Sequence, residues 1–581
     1  MKTSGALYGV YCILPAVLTV SPTRSEVLQS DVVVYGGTAA GVAAATAAAR
    51  QGARVTLLEP GRHLGGMASG GLGWTDFGNK ECIGGMSLEF FQRVGKKYGA
   101  SIAWTFEPHV AESVFNEMAR EAGVRIRLET RLKEAGGVEK AGALVKRLLA
   151  ESGDVFEAAV FLDATYEGDL MAQAGVSHTH GREASSQYGE SLAGVRTRTA
   201  AHQFPPGLPS RGKDGRIYPE IDPGGKGEVG AGDAKIQAYN YRLCMTDSAV
   251  RVPFTKPAGY DPARYALLAR YVDTLTVIAG GKPPALGNLC KLDRVRGKKT
   301  DTNNSGGFST DFIGHSWDYP EAGYARREAI RKEHEDYIRG FFYFLANDAS
   351  IPQATRVDAA KWGLAKDEFT DNGNWPHQLY VREARRMIGE YVMVQADIQT
   401  ERTKAEGVGM GSYNSDSHHV QRFVTPAGAV ENEGDMQVKV EPYEIPYRIL
   451  TPKRAQASNL LVPVCFSASH VTYSTLRMEP QYMILGEAAG VAARMAQVRG
   501  VPVQEIDVQA LRTKLQSLKA VLGSTPVSAA CPAPRGRMGG GRIRIVLDTR
   551  SATIADGWQG RFGISGRAIS ASARGVMMAA P

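Results

Sequence analysis

Gly36, Gly37, Gly41 and Glu59 have the types and spacing to hold a dinucleotide. Gly36 suits a tight turn and Gly41 a close helix–strand approach. Glu59, eighteen residues after Gly41, is placed to accept hydrogen bonds from a ribose 2′-OH. Thr38 stands where such motifs usually carry their middle glycine, with Gly37 beside it supplying flexibility; Ala40 and Pro60 complete the expected cofactor-facing set. A second group of residues suits proton transfer. Of eleven histidines, His470, the His418–His419 pair and His377 stand out, because imidazole is the side chain that takes a proton near neutral pH. Arg477, Arg382 and Arg422 are of the type that orients a carboxylate or stabilises an anion, and each would equally serve as an ion-pair strut. Each histidine would equally serve as a buried structural donor. Adjacent histidines rarely bind one ion together, and no metal is expected.

These residues need elements to position them. Val32–Tyr35 reads as a buried strand, followed by the glycine turn, an alanine-rich helix and a second strand over Arg54–Leu58. Together these make a βαβ unit that sets a pyrophosphate on a helix N-terminus, where unpaired N–H groups and the dipole favour negative charge. Leu64–Gly85 is a glycine-rich loop with Met67, Leu72, Trp74 and Phe77 in it, suited to lying against a flat ligand. A helix is predicted over Val110–Ala122, then strand-forming sequence over Val124–Leu128 and Val155–Asp163. Beyond them the texture changes to aromatic, proline-rich and polar, with helices expected over Pro262–Ile278, Glu321–Leu345 and Val381–Met393. Trp317, Asp318 and Trp375 there suit either a sugar-like ligand or core packing. The first style then returns: a strand over Asn459–Val464, a loop over Ser467–Pro480, and a small-residue helix over Gln481–Gln497. In flavoproteins of this layout such a helix aims its N-terminus at the flavin pyrimidine edge.

The chain is too long for one core. Its net charge of +8 is modest at 581 residues, and no basic stripe with interleaved aromatics appears, so nucleic-acid binding is not expected. Lys2 followed by the apolar run Ala6–Val20 reads as an export signal, too short for a membrane span. Six scattered cysteines form no CxxC pair, so neither zinc nor a redox dithiol is suggested; one or two disulfides would suit an exported chain.

The segments GGTAAGVAAATAAARQGARVTLLEP, HLGGMASGGLGWTDFGNK, YEGDLMAQAGVSHTHGREASSQYGE, NNSGGFSTDFIGHSWDYP, NWPHQLYVREARRMIGEYVM, DSHHVQR and SASHVTYSTLRMEPQYMILGEAAGVAARMA run from about residue 31 to 500. On them the chain resembles the secreted bacterial FAD-dependent oxidoreductases of the glutathione-reductase-like flavoprotein superfamily. The resemblance implies an α/β fold: a discontinuous Rossmann-type FAD domain (30–185 and 451–520) around an α+β substrate lobe (186–450). A signal peptide (1–25) would precede it, and a tail (521–581) resembling the start of a truncated β-sandwich, or disordered, would follow. It also implies that Gly65, Gly66 and Met67 lie along the pyrophosphate and ribityl chain. Asp163 and Thr165 would close the adenosine side, with Glu487, Ala488 and Gly490 in the helix near the flavin. The resemblance does not imply a substrate; export and the Trp/Asp/His-rich lobe point to hydride passing between flavin N5 and a polar small molecule, a carbohydrate or polyol, with His470 first and His418 second as the base and Arg477 assisting. His63 would be a conceivable but unneeded covalent tether. Reduction of an activated C=C bond, or a flavin-binding electron-transfer protein without its own substrate, are the rival readings. The expected location is periplasmic or extracellular.

Overall fold

The computed structural model describes residues 25–523. The export signal, Cys12, the C-terminal tail and Cys531 lie outside them. β1 (Val27–Tyr35) is buried from Val32 onward and leads through the glycine turn into α1 (Ala39–Arg50) and β2 (Val55–Leu58). β2 pairs in parallel with β1 and with β3 (Arg125–Arg127). On the other side of β1 lies β6 (Val155–Asp163), also parallel, with the antiparallel hairpin β4 (Val138–Ala141) and β5 (Leu144–Leu149) beyond it. β7 (Leu460–Leu461) pairs in parallel with β6, so the chain returns to this sheet after a long insertion. The discontinuous Rossmann-type sheet is therefore present, and the carboxyl ends of β1, β2 and β6 share one edge.

Gly36 ends β1 at φ +101°, and a Cβ there would sit 2.7 Å from the Ala164 carbonyl carbon, so only glycine makes the turn. α2 (Gly85–Lys97) and α3 (Pro108–Glu121) pack on the same layer through Phe90, Phe91, Val114 and Phe115. α1 is alanine-rich because α6 (Glu479–Arg499) lies against it at backbone distance: a Cβ on Gly486 or Gly490 would overlap the carbonyl oxygens of Ala40 and Ala44. Burial of small residues on both helices removes side-chain bulk from the interface and brings dispersion contacts close.

The insertion is α+β. Its antiparallel sheet runs Cys290–Arg294, Lys299–Asn304, Leu243–Thr246, Gly363–Ala365, Arg251–Val252. Its longest helix, α4 (Tyr324–Asn347), buries Ile330, Tyr337, Ile338, Phe341 and Phe344. A hairpin-like layer pairs Ser415–Ser417 with Met436–Val438, Ser417 opposite Met436; continuing that register sets Asp435 opposite His418.

Two expected elements differ. Val381–Met393 is irregular, not helical, with only Arg386–Met387 in a strand pair. Arg382 reaches Asp311, Arg385 reaches Asp169 and Glu321, and Arg386 reaches Glu183 and Glu383, so acids in several directions, three of them buried, outweigh helix propensity. Conversely, the expected loop Ser467–Pro480 contains α5 (His470–Leu476), whose N-cap Ser469 accepts from the Thr472 N–H at 3.3 Å. Cys82, Cys244, Cys290 and Cys465 are free and buried, so no disulfide joins them. No helix among the described residues is long and apolar enough to cross a membrane.

Candidate cofactor cleft and proton-transfer centre

A cavity of about 300 Å³ opens over the shared strand edge, lined by Gly36, Thr38, Glu59, Pro60, Gly66 and Thr165 among others. Thr38 has a defined task. Its hydroxyl caps α1, accepting from the Gly41 N–H at 3.2 Å, and donates to the Ala164 carbonyl at 2.7 Å, tying the helix to the end of β6. The side chain that replaces the usual glycine thus braces the phosphate turn. Glu59 accepts from the Gly37 and Gly61 N–H groups, each at 2.6 Å, and burial pushes its carboxyl up to about 7. Gly65 and Gly66 take φ +104° and +55°, and the Met67 N–H donates to the Tyr166 hydroxyl at 2.9 Å, which in turn donates to Glu479 at 2.7 Å. Gly37, Ala40, Gly41, Gly65 and Met67 are placed around this edge by the same turn and loop. Asp163 is buried and committed to the fold: it accepts from the Thr165 N–H and hydroxyl and from the Met171 N–H, while burial pushes it up to about 6.

The groups around the cleft suit a dinucleotide. Glycines leave room at the strand edge, and a half-buried acid, Glu59, sits just past the end of β2. At the first turns of α6, Glu479 Oε2 and both amide atoms of Gln481 are buried without a protein partner. Burial pushes Glu479 up to about 8. Buried polar atoms without partners are uncommon in folded proteins, so these three call for a ligand or ordered water. Sequence reasoning missed both residues because each lies inside an otherwise ordinary helix start.

Three residues expected near the flavin sit elsewhere. Glu487 accepts from the Met86 N–H at 2.9 Å and so closes the start of α2; Ala488 is in the core; Gly490 faces the Ala44 carbonyl. They lie two to three turns along α6, where the helix meets α1 and α2 and not the cleft. Burial pushes Glu487 up to about 7. A carboxyl raised on folding supports stability fully below its unfolded value and withdraws that support as pH rises through its folded value. The Glu487→Gln variant should therefore melt like the wild type near pH 4.5 and higher than it at pH 8, by at most about 3 kcal/mol. Parallel melting curves across that range check this; a constant offset would show that Glu487 stays ionised throughout.

Two histidine–carboxylate pairs occupy the lobe side. His418 Nδ1 lies 2.7 Å from Asp311 Oδ2, and Asp311 Oδ1 accepts from Arg382 at 3.0 Å. Burial, then Arg382, hold His418 down at about 4, and the same neighbours hold Asp311 well below the carboxylate range despite its burial. His470 Nδ1 lies 2.8 Å from Glu383 Oε2, its Nε2 meets the Ser417 hydroxyl at 3.3 Å, and its backbone N–H donates to Glu183 at 3.0 Å. Burial opposes the charge on Glu383, but His470 and Arg386 outweigh it and hold the carboxyl at about 2. Arg477 donates to the Tyr380 hydroxyl at 3.1 Å and the Asp416 carbonyl at 2.6 Å, and its Nε is buried without a partner. The two pairs are thus joined: Asp416 and Ser417 precede His418 and contact α5 and Arg477, and α5 runs directly into α6. His419 Nε2 instead donates to the Ala201 carbonyl at 3.1 Å, whereas His418 turns to Asp311. Arg422 is a strut, bonding Asn432 and the Gly307 carbonyl. His63 is held by Glu112 at 2.9 Å and Asp371 at 3.1 Å. Trp317 donates to the Val420 carbonyl and Trp375 packs in the core. Glu107, His109 and Glu368 approach one another as metal ligands would, but Lys299 Nζ already meets Glu107 at 2.8 Å and Glu368 at 2.7 Å.

The sequence profile of the family described as FAD dependent oxidoreductase matches residues 31–515. No curated protein matches the chain. Among solved structures, the L-amino acid deaminase from Proteus vulgaris is similar at 16% identity over 28% of this chain and 54% of its own, with TM-score 0.22. L-proline dehydrogenase from P. horikoshii is similar at 17% identity over 28% and 59%, with TM-score 0.22. The chain thus spans between half and three-fifths of those two proteins' lengths.

Proposed function

As the chain belongs to the FAD dependent oxidoreductase family, we propose that it moves hydride between flavin N5 and a polyol or carbohydrate, with His418 taking the hydroxyl proton. FAD, when bound, supplies the hydride acceptor. Gly36, Thr38, Glu59, Gly66 and Gln481 are the residues that would hold it. The observation that carries the reading is the His418–Asp311 pair: Asp311 fixes Nδ1, so the lone pair for an incoming proton is on Nε2, and Asp311 is ready to stabilise the imidazolium that results. His470 engages both ring nitrogens within the fold, so we assign it a positioning role and give His418 the base role.

The polyol follows from what the site leaves unpaired. Arg382 Nε and Arg477 Nε are buried donors without acceptors; Asn240 Oδ1 and both Asp435 oxygens are buried acceptors without donors. Burial, then the charge of Asp416, push Asp435 up to about 8, so at neutral pH it carries a proton and both gives and accepts hydrogen bonds. A ligand rich in hydroxyls satisfies donors and acceptors together, which an apolar or purely anionic one does not.

The test is anaerobic mixing of the yellow protein with a panel of aldoses, polyols and hydroxy acids, read by loss of flavin visible absorbance. Bleaching by polyols or sugars supports the reading. Bleaching only by an artificial reductant, followed by reoxidation with an enone, would replace it with C=C reduction.

A further inference from the structure

The cofactor cavity is walled on one side by the Rossmann edge and on the other by the inserted lobe. Tyr324 of α4 donates through its hydroxyl to the Leu132 carbonyl at 2.9 Å, and the Arg131 guanidinium lies 4.5 Å from its ring centre. One turn on, Arg327 donates to Asp169 at 2.7 Å. One further turn on, Arg331 reaches into the same cavity, and opposite α4 so does His377.

The cationic groups of this wall differ in one respect. Arg62 and His63 have acids at hydrogen-bond or ion-pair distance, Asp371 and Glu112. Arg327 has Asp169. Arg331 has Glu167 only at 4.0 Å. His377 stacks on His63 with ring centres 4.1 Å apart, and both its ring nitrogens are buried without a partner. A guanidinium without a close counter-ion and an imidazole with no acceptor, both facing the cavity that Gly36 and Thr38 at the N-terminus of α1 also line, make a site for a dianionic group. Burial, and after it the neighbouring His63, Arg331 and Arg62, disfavour protonation of His377 and hold the ring at about 3. A neutral ring still offers one N–H.

We propose that Arg331 and His377 hold the cofactor's pyrophosphate from the side opposite the α1 N-terminus, making the substrate lobe part of the cofactor site. This rests on the cofactor being FAD, and it adds residues that the βαβ motif does not contain. One consequence is topological: α4 lines the same cavity as the Rossmann edge through Tyr324, Arg327 and Arg331, so a bound cofactor ties the lobe to that edge.

The probes are ADP and adenosine, titrated into flavin-stripped protein and read by melting temperature and tryptophan fluorescence. Wild-type protein should bind ADP more tightly than adenosine. In Arg331→Ala and in His377→Ala that advantage should shrink about tenfold or more, with adenosine affinity unchanged and Arg331→Lys recovering part of it. A wild-type ADP-to-adenosine ratio in both alanine variants overturns the proposal. Should Arg331→Ala fail to fold, the salt dependence of ADP binding in Arg331→Gln decides: an unchanged slope overturns it, a shallower slope supports it. Wild-type protein that binds neither FAD nor ADP would instead overturn the cofactor reading, and this inference with it.

Discussion

His418→Asn should slow anaerobic flavin reduction by substrate about 10²–10⁴-fold while the protein stays yellow and melts as before, since a lost general base costs that much. Asparagine keeps a hydrogen bond to Asp311 but offers no basic nitrogen. In the wild type the ring is held at about 4 by burial and Arg382, so it is neutral and competent across the neutral range. The reduction rate should therefore be level from mildly acidic pH up to about 8, where Asp435 opposite the ring loses its proton, and fall as pH drops toward about 4, where the ring takes a proton before substrate can give it one. His470→Asn is the comparison. It keeps a hydrogen bond to Glu383 but cannot also span to the Ser417 hydroxyl, so melting temperature should fall by the loss of that one buried contact. Its reduction rate should fall less than that of His418→Asn, and the pH profile should keep its shape. If His470→Asn loses reduction and His418→Asn keeps it, the two roles are exchanged.

The contrast between those histidines shows where sequence was readable. The βαβ unit was legible because its glycines answer to backbone geometry that no neighbour can change: φ at Gly36, close approach at Gly41, an acid at the end of β2. Thr38 looked like a defect by type, yet an N-cap hydroxyl is a local property, and the cap is what the structure uses it for. The lobe was harder. Whether His418 or His470 has a free ring nitrogen depends on Asp311, Glu383 and Ser417, which lie 107, 87 and 53 residues from their partners. The arginine run Arg382–Arg386 misled for the same reason: its conformation follows from distant acids. Glu487 and Gly490 had the right helix but the wrong turn of it, since helix identity comes from composition and helix facing comes from what packs on it.

Gly41→Ala should cost the protein its flavin and at least the upper end of the roughly 1–3 kcal/mol that overpacking usually costs. The added methyl would overlap the Gly36 carbonyl oxygen and stand 3.2 Å from the Ala164 Cβ. Neither neighbour can yield. Gly36 is pinned at φ +101° against Ala164, and Ala164 is fixed by the Thr38 hydroxyl. α1 cannot retreat either, because Gly486 and Gly490 of α6 already touch the backbone of Ala40 and Ala44. A helix clamped on both faces must deform at its first turn, which is the turn that presents N–H groups to the pyrophosphate. Melting temperature and flavin content fall together on this account, and excess FAD restores only part of either, since binding to a distorted site repays little of the strain. Gly490→Ala separates the two effects: it presses on α1 from behind, a turn past the phosphate site, so it should lower the melting temperature while leaving most of the flavin bound. Equal flavin retention in the two variants would mean that the first turn of α1 is not where the cofactor is held.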